Sequence, residues 1–189
     1  MKKAISILFF LVIFHLCSQA QFYKSLLPSD AFGDSLTLIV KDFKNNFYPI
    51  QGKQYPSEGM VDIYNSKAAI PGSEHCIIQR YHSVEDTTAS WQAIMYDGES
   101  YVDAVKIYKN IFHLVKKSKI KWADKRTFSF DGAMEIPDES VRFTSSPLTL
   151  KVPDQEYKHF IAAVEITNSY SGWEVHVNLH SRKNDEDQH

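Results

Sequence analysis

The stretch FIAAVEITNSYSGWEVHVNL, residues 160–179, decides the fold. Phe160, Ala162, Val164 and Ile166 point one way, and Trp173, Val175, Val177 and Leu179 do the same in the following run. A period of two with polar residues between is the pattern of strands with one buried face. Asn168-Ser169-Tyr170-Ser171-Gly172 joins them as a hairpin. Directly opposed residues in such a pair share a face. The apolar sets are even-numbered in the first strand and odd-numbered in the second. Opposed residue numbers therefore sum to an odd value, as in Glu165 with His176 or with Glu174. A slip of one residue would bury Glu174, His176 and His180, so the register is strongly specified.

Upstream of this pair the period of two continues. Phe128, Phe130, Gly132, Met134 and Ile136 alternate with Thr127, Ser129, Asp131, Ala133 and Glu135, which predicts one strand with a wet face. Pro137-Asp138 turns the chain. Val141, Phe143, Leu148, Leu150 and Val152 predict another strand, interrupted at Pro147.

Before Trp122 the period is helical. Ser100 and Asp103 resemble a capping box, and Tyr101, Ala104, Val105, Tyr108, Ile111, Phe112 and Val115 form one stripe of a helix through about Ser118. Phe32, Leu36, Ile39, Val40, Phe43 and Phe47 form a second stripe, predicting a helix over 29–47 that Pro49 and Gly52 close. Ser29 or Asp30 can cap it. Between the helices, 59–64, 75–82 and 90–97 read as strands. Ile70-Pro71-Gly72-Ser73 reads as a type II turn, and Trp91, Ala93 and Met95 alternate with Gln92, Ile94 and Tyr96.

The order is helix, about three strands, helix, about four strands. It predicts an α+β fold of two layers, with two helices packed on one face of a mostly antiparallel sheet and the other face wet. It also raises the expectation of a duplicated αβββ unit.

The start of the chain reads as an address, not as fold. Lys2 and Lys3 precede an apolar run from Ala4 to Leu16, followed by Ser18 and Ala20, the layout of a secretory signal peptide cut after Ala20. The run is short of the ~20 residues of a membrane span. Leu16, which is not small, argues against lipid attachment at Cys17. The expected organisation is a cleaved signal peptide at 1–20, one α+β domain at 21–181, and a frayed polar tail at 182–189. Export implies a periplasmic or extracellular destination, with membrane contact only during export.

Cleavage after Ala20 removes two lysines and no acid. Lys+Arg falls from 21 to 19 against 23 acids, so the formal charge goes from −2 to −4. An acidic domain argues against nucleic-acid binding, which runs on clustered cations. Lys116, Lys117, Lys119 and Lys121 lie at a helix end, where cations favour the dipole. Cys76 alone remains, so no internal disulfide forms. No Asn-x-Ser/Thr acceptor occurs. With 43% hydrophobic residues, 12 Phe and 10 Tyr, the chain can bury a core without one.

Few residues invite a chemical reading. His75 precedes Cys76, but neighbours on a strand point to opposite faces, so the imidazole does not reach the sulfur. Glu174, His176 and His180 share the wet face of the last strand. His176 and His180 stand ~13 Å apart at strand rise, too far for one tetrahedral metal. His176 with Glu165 or Glu174 makes at most a two-ligand site, and the solvent-facing reading is preferred. His82 and His113 read as boundary residues of packed elements. Trp91, Trp122 and Trp173 read as core. No catalytic residue, cofactor or metal site is assigned. The expectation is a non-enzymatic exported binding module for a protein partner or small ligand. The alternatives are a small hydrolase or thiol-dependent enzyme, and a carrier of an apolar ligand held between helices and sheet.

Overall fold

In the computed structural model, residues 30–56, 59–81, 88–122, 124–170 and 172–182 are described. The expected signal peptide at 1–20, Ser29, His82 and the tail beyond Arg182 lie outside them. The elements in chain order are α1 (Asp30–Asp42), β1 (Gln51–Gln54), β2 (Val61–Ser66), β3 (His75–Tyr81), β4 (Ala89–Gly98), α2 (Tyr101–Lys117), β5 (Lys119–Lys121), β6 (Thr127–Asp131), β7 (Phe143–Leu150), β8 (Phe160–Ser169) and β9 (Gly172–Ser181). The strands form one sheet in the order β1-β2-β3-β4-β9-β8-β7-β6-β5. Every pairing is antiparallel.

The hairpin of β8 and β9 has the expected parity. Glu165 faces His176, and the pairs run from Phe160 with Ser181 to Ser169 with Gly172. Both apolar sets are therefore on one side, with Val164, Val175, Val177 and Leu179 fully buried. Gly172 sits at φ 134°, a conformation that favours glycine, and a Cβ there would strike the backbone of Gly98.

Each helix begins one half of the chain. Ser100 caps α2, its side chain accepting the N–H of Asp103 at 3.2 Å. Ala104, Tyr108, Ile111, Phe112 and Val115 of α2 are buried, as are Phe32, Leu36, Ile39 and Val40 of α1. These residues and the inward side chains of the sheet form one continuous core. Four strands follow α1 and five follow α2. The strand counts differ from the expected αβββ unit because β1 and β5 carry no alternating apolar pattern.

α1 ends earlier than its stripe predicts. After Asp42 comes a short 3-10 turn, Phe43–Asn45, and then Asn46 and Phe47 at φ 52° and 59°. Asn tolerates this left-handed region better than most residues. The sheet holds it there: Arg80 Nη2 donates to the Asn46 carbonyl at 2.9 Å, and Ala89 N–H donates to Asn46 Oδ1 at 2.8 Å. Arg80 is buried under the exposed ring of Tyr48, its guanidinium carbon 3.9 Å from the ring centroid. Among the described residues its Nε and Nη1 find no hydrogen-bond partner.

Three strand expectations change in detail. In β4 the register with β9 shifts between Ile94 and Tyr96, a bulge at Met95. Beyond it Tyr96 joins the core side, instead of continuing outward with Gln92 and Ile94. The strand predicted through Ile136 stops at Asp131. Gly132 passes so close to the Pro147 carbonyl that a Cβ has no room. From there side chains replace the ladder: Glu135 N–H donates to Ser146 Oγ at 2.8 Å, and Tyr108 OH donates to the Glu135 carbonyl at 3.2 Å and also contacts Ser146 Oγ. Finally, β7 runs unbroken through Pro147, which opposes Ala163. Its partner on the other side, β6, pairs only at Leu150 and Thr149. Pro147 thus stands where that flank has no ladder, so its missing N–H costs little.

Ser146 is fully buried and joins α2, β7 and the 132–136 segment. Ser146→Ala strands the backbone N–H of Glu135 and takes one of two partners from the Tyr108 hydroxyl. A loss of about 1–3 kcal/mol in urea unfolding is expected, whereas Val102→Ala, at a residue 75% exposed, stays within about 0.5 kcal/mol.

Candidate functional site

The face of the sheet away from the helices carries a polar cluster that the registers assemble. Ser145, Glu165, His176 and Ile94 form one row across β7, β8, β9 and β4. Ala163, Asn178 and Gln92 form the next. Glu165 accepts from Ser145 Oγ at 3.2 Å with one oxygen and from Asn178 Nδ2 with the other. His176 Nε2 lies 2.8 Å from Glu174 Oε2, and its Nδ1 lies 3.3 Å from Gln92 Nε2. The cluster thus fixes donors and acceptors across four strands before any partner arrives.

Glu174 and His176 are less open to water than expected. Their side chains are 23% and 11% exposed. Strand neighbours on both sides of β9 cover them, because β9 is a central strand and not an edge. Ile161 and Ala163 share the face and are also buried, although they stand outside the core cluster.

Beside the cluster lies a cleft of about 300 Å³, lined by Gln79, Tyr81, Ser90, Glu165, Asn178 and His180 among others. It spans β3, β4, β9 and β8. Burial lowers the pKa of His180 from the ordinary 6.5; Arg182 pushes the same way and Glu165 opposes. The ring is therefore neutral at pH 7. Of these residues, sequence reasoning had singled out Glu165 and His180. Gln79, Ser90 and Asn178 give no signal of their own, since only the cross-strand registers bring them together.

The remaining candidates lie elsewhere. Cys76 is 3% exposed on the helix side of the sheet, its thiol 3.3 Å from Ser73 Oγ, and burial raises its pKa. His75 is exposed on the opposite side. The turn before them is the expected type II, with Gly72 at φ 87° and Ser73 N–H bonded to the Ile70 carbonyl. Trp91 and Trp173 are core, with Trp91 Nε1 donating to Ser66 Oγ at 2.9 Å. Trp122 packs against Phe128 and Tyr157. His113 is exposed on α2, not at a packed boundary. Of the four lysines of the basic run, Lys116 donates to the Gly132 carbonyl and Lys121, in β5, pairs with Asp34. Among the described residues, no group of three or more His, Cys, Asp or Glu is placed to hold a metal ion.

No family model matches the chain, and neither does any curated protein or solved structure.

His180 gives a test of the chemistry of this face. A group whose folded pKa is depressed contributes stability that is fully present above its unfolded value, about 6.5, and is lost as pH falls from there through the lower folded pKa. His180→Gln is expected to flatten this part of the stability profile. NMR titration of His180 is expected to show a midpoint below 6.5, lower again in Glu165→Gln, which removes the one opposing charge.

Proposed function

We propose that this is an exported, non-enzymatic binding protein that engages its partner or ligand through the helix-free face of the sheet. The observation that carries the reading is the cross-strand network of Ser145, Glu165, Asn178, Gln92, His176 and Glu174. A surface whose polar groups are held in place before binding loses little side-chain entropy on association. Half-buried Ile63, Ile77 and Ile94 lie on the same face and supply apolar area beside it. Export rests on the layout of residues 1–20, and no described helix is long and apolar enough to cross a membrane.

The alternatives draw less support. A thiol mechanism needs an accessible, low-pKa sulfur, and Cys76 has neither property. An apolar carrier needs aromatic side chains lining a void. Here Phe43, Tyr157 and Phe160 pack on one another with centroids 4.8–6.0 Å apart.

Two measurements check the proposal. Mass spectrometry of the protein from its native cells is expected to give Gln21 as the first residue; an intact Met1 would remove the export reading. A photo-crosslinking residue at Ile77 or Gln92 is expected to capture one stoichiometric partner, while the same residue at Val102 or Lys109 on α2 captures none. The reverse pattern would move the binding surface to the helices.

A further inference from the structure

We infer that the cleft between β3, β4, β9 and β8 takes a neutral polyhydroxylated ligand of about monosaccharide size. The inference rests on the reading of the helix-free face as the binding surface, and adds the ligand class.

Size comes first. At about 300 Å³ the cleft is at the small end of ligand sites, which run from about 300 to 1,000 Å³. It suits one ring with polar substituents, not an extended chain.

Charge excludes two classes. The carboxylate of Glu165 lines the cleft, and His180 beside it is held neutral by burial. A phosphate or carboxylate ligand would meet a negative charge with no cation among the six named lining residues to offset it. A cation has the opposite defect. An ammonium offers donors only. It would satisfy Glu165 and the acceptor atoms of Gln79 and His180, but leave their N–H donors without an acceptor.

Hydroxyl groups fit both kinds of partner, because each donates once and accepts twice. The lining offers the same mixture: a carboxylate that accepts, amides and an imidazole that do both, and hydroxyls on Ser90 and Tyr81. Glu165 already accepts from Ser145 and Asn178, which sets the carboxylate plane and leaves lone pairs for two adjacent ligand hydroxyls. Tyr81, 40% exposed at the rim, adds an aromatic surface for the C–H side of a sugar ring. Ile161 and Ala163 stand on the same face of β8 as Glu165, and both are buried.

The test is an NMR titration of the purified chain with D-glucose, D-galactose and N-acetylglucosamine, with methylammonium and acetate as charged controls. Saturable shifts of the amides of Gln79, Ser90, Asn178 and His180 are expected for at least one sugar and for neither ion. Glu165→Gln and Asn178→Ala are each expected to weaken that binding by roughly tenfold or more. Ser90→Tyr, which puts a ring into the cleft while keeping both Glu165 and Asn178 in the chain, is expected to abolish it in a chain whose spectrum remains folded. Saturation by methylammonium and not by sugar would overturn the ligand class. Saturable shifts clustered elsewhere would overturn the site. If no sugar binds up to its solubility limit while crosslinks from Ile77 or Gln92 still form, the ligand inference fails and the binding-surface reading stands. Loss of those crosslinks as well would sink both.

Discussion

The register of β8 against β9 is the constraint on which the rest depends. Pairing Glu165 with His176 assigns each residue of two central strands to a face. On one side this stacks Val164, Ile166, Val175 and Val177 beneath α2. On the other it aligns Glu165, Asn178 and His176 into the polar cluster. A slip by one position would exchange the two sets, burying charges and exposing the core, so one specification builds both the hydrophobic layer and the candidate site.

Much of this architecture was legible in the residues, for identifiable reasons. The hairpin, the Ser100 cap, the stripe of α2 and the turn at Gly72 are local patterns, and each is satisfied by residues close in sequence. What escaped is non-local. β1 and β5 are Gln51–Gln54 and Lys119–Lys121, too short and too polar to alternate, and only a neighbouring strand makes them strands. The bulge at Met95 leaves the alternation of Trp91 and Ala93 intact and reveals itself only against β9. The run from Gly132 to Ile136 alternates well but leaves the sheet, because Ser146 and Tyr108 offer its backbone better partners than a ladder does.

The site follows the same division. Glu165, His176 and His180 stood out as polar residues in an otherwise apolar pair of strands. Their grouping with Gln79, Ser90 and Gln92 depends on β4 meeting β9 across more than 80 residues of sequence. Gln and Ser at such positions are unremarkable on any exposed strand. The cleft exists because two meanders, each legible separately, meet at their last strands.

That meeting has a consequence for the order in which the molecule is made. Among the described strands β9 comes last in sequence, and so is made after the other eight, yet it occupies the middle of the sheet. Until it emerges, β1–β4 and β5–β8 are two half-sheets, each with its innermost edge uncovered. Closure then comes in one step, as a single strand zips into the gap between its neighbours. Such late, long-range pairing is slow compared with local folding, and unpaired edges are prone to wrong associations while they wait. The topology that builds the cleft thus also leaves a vulnerable interval before β9 arrives.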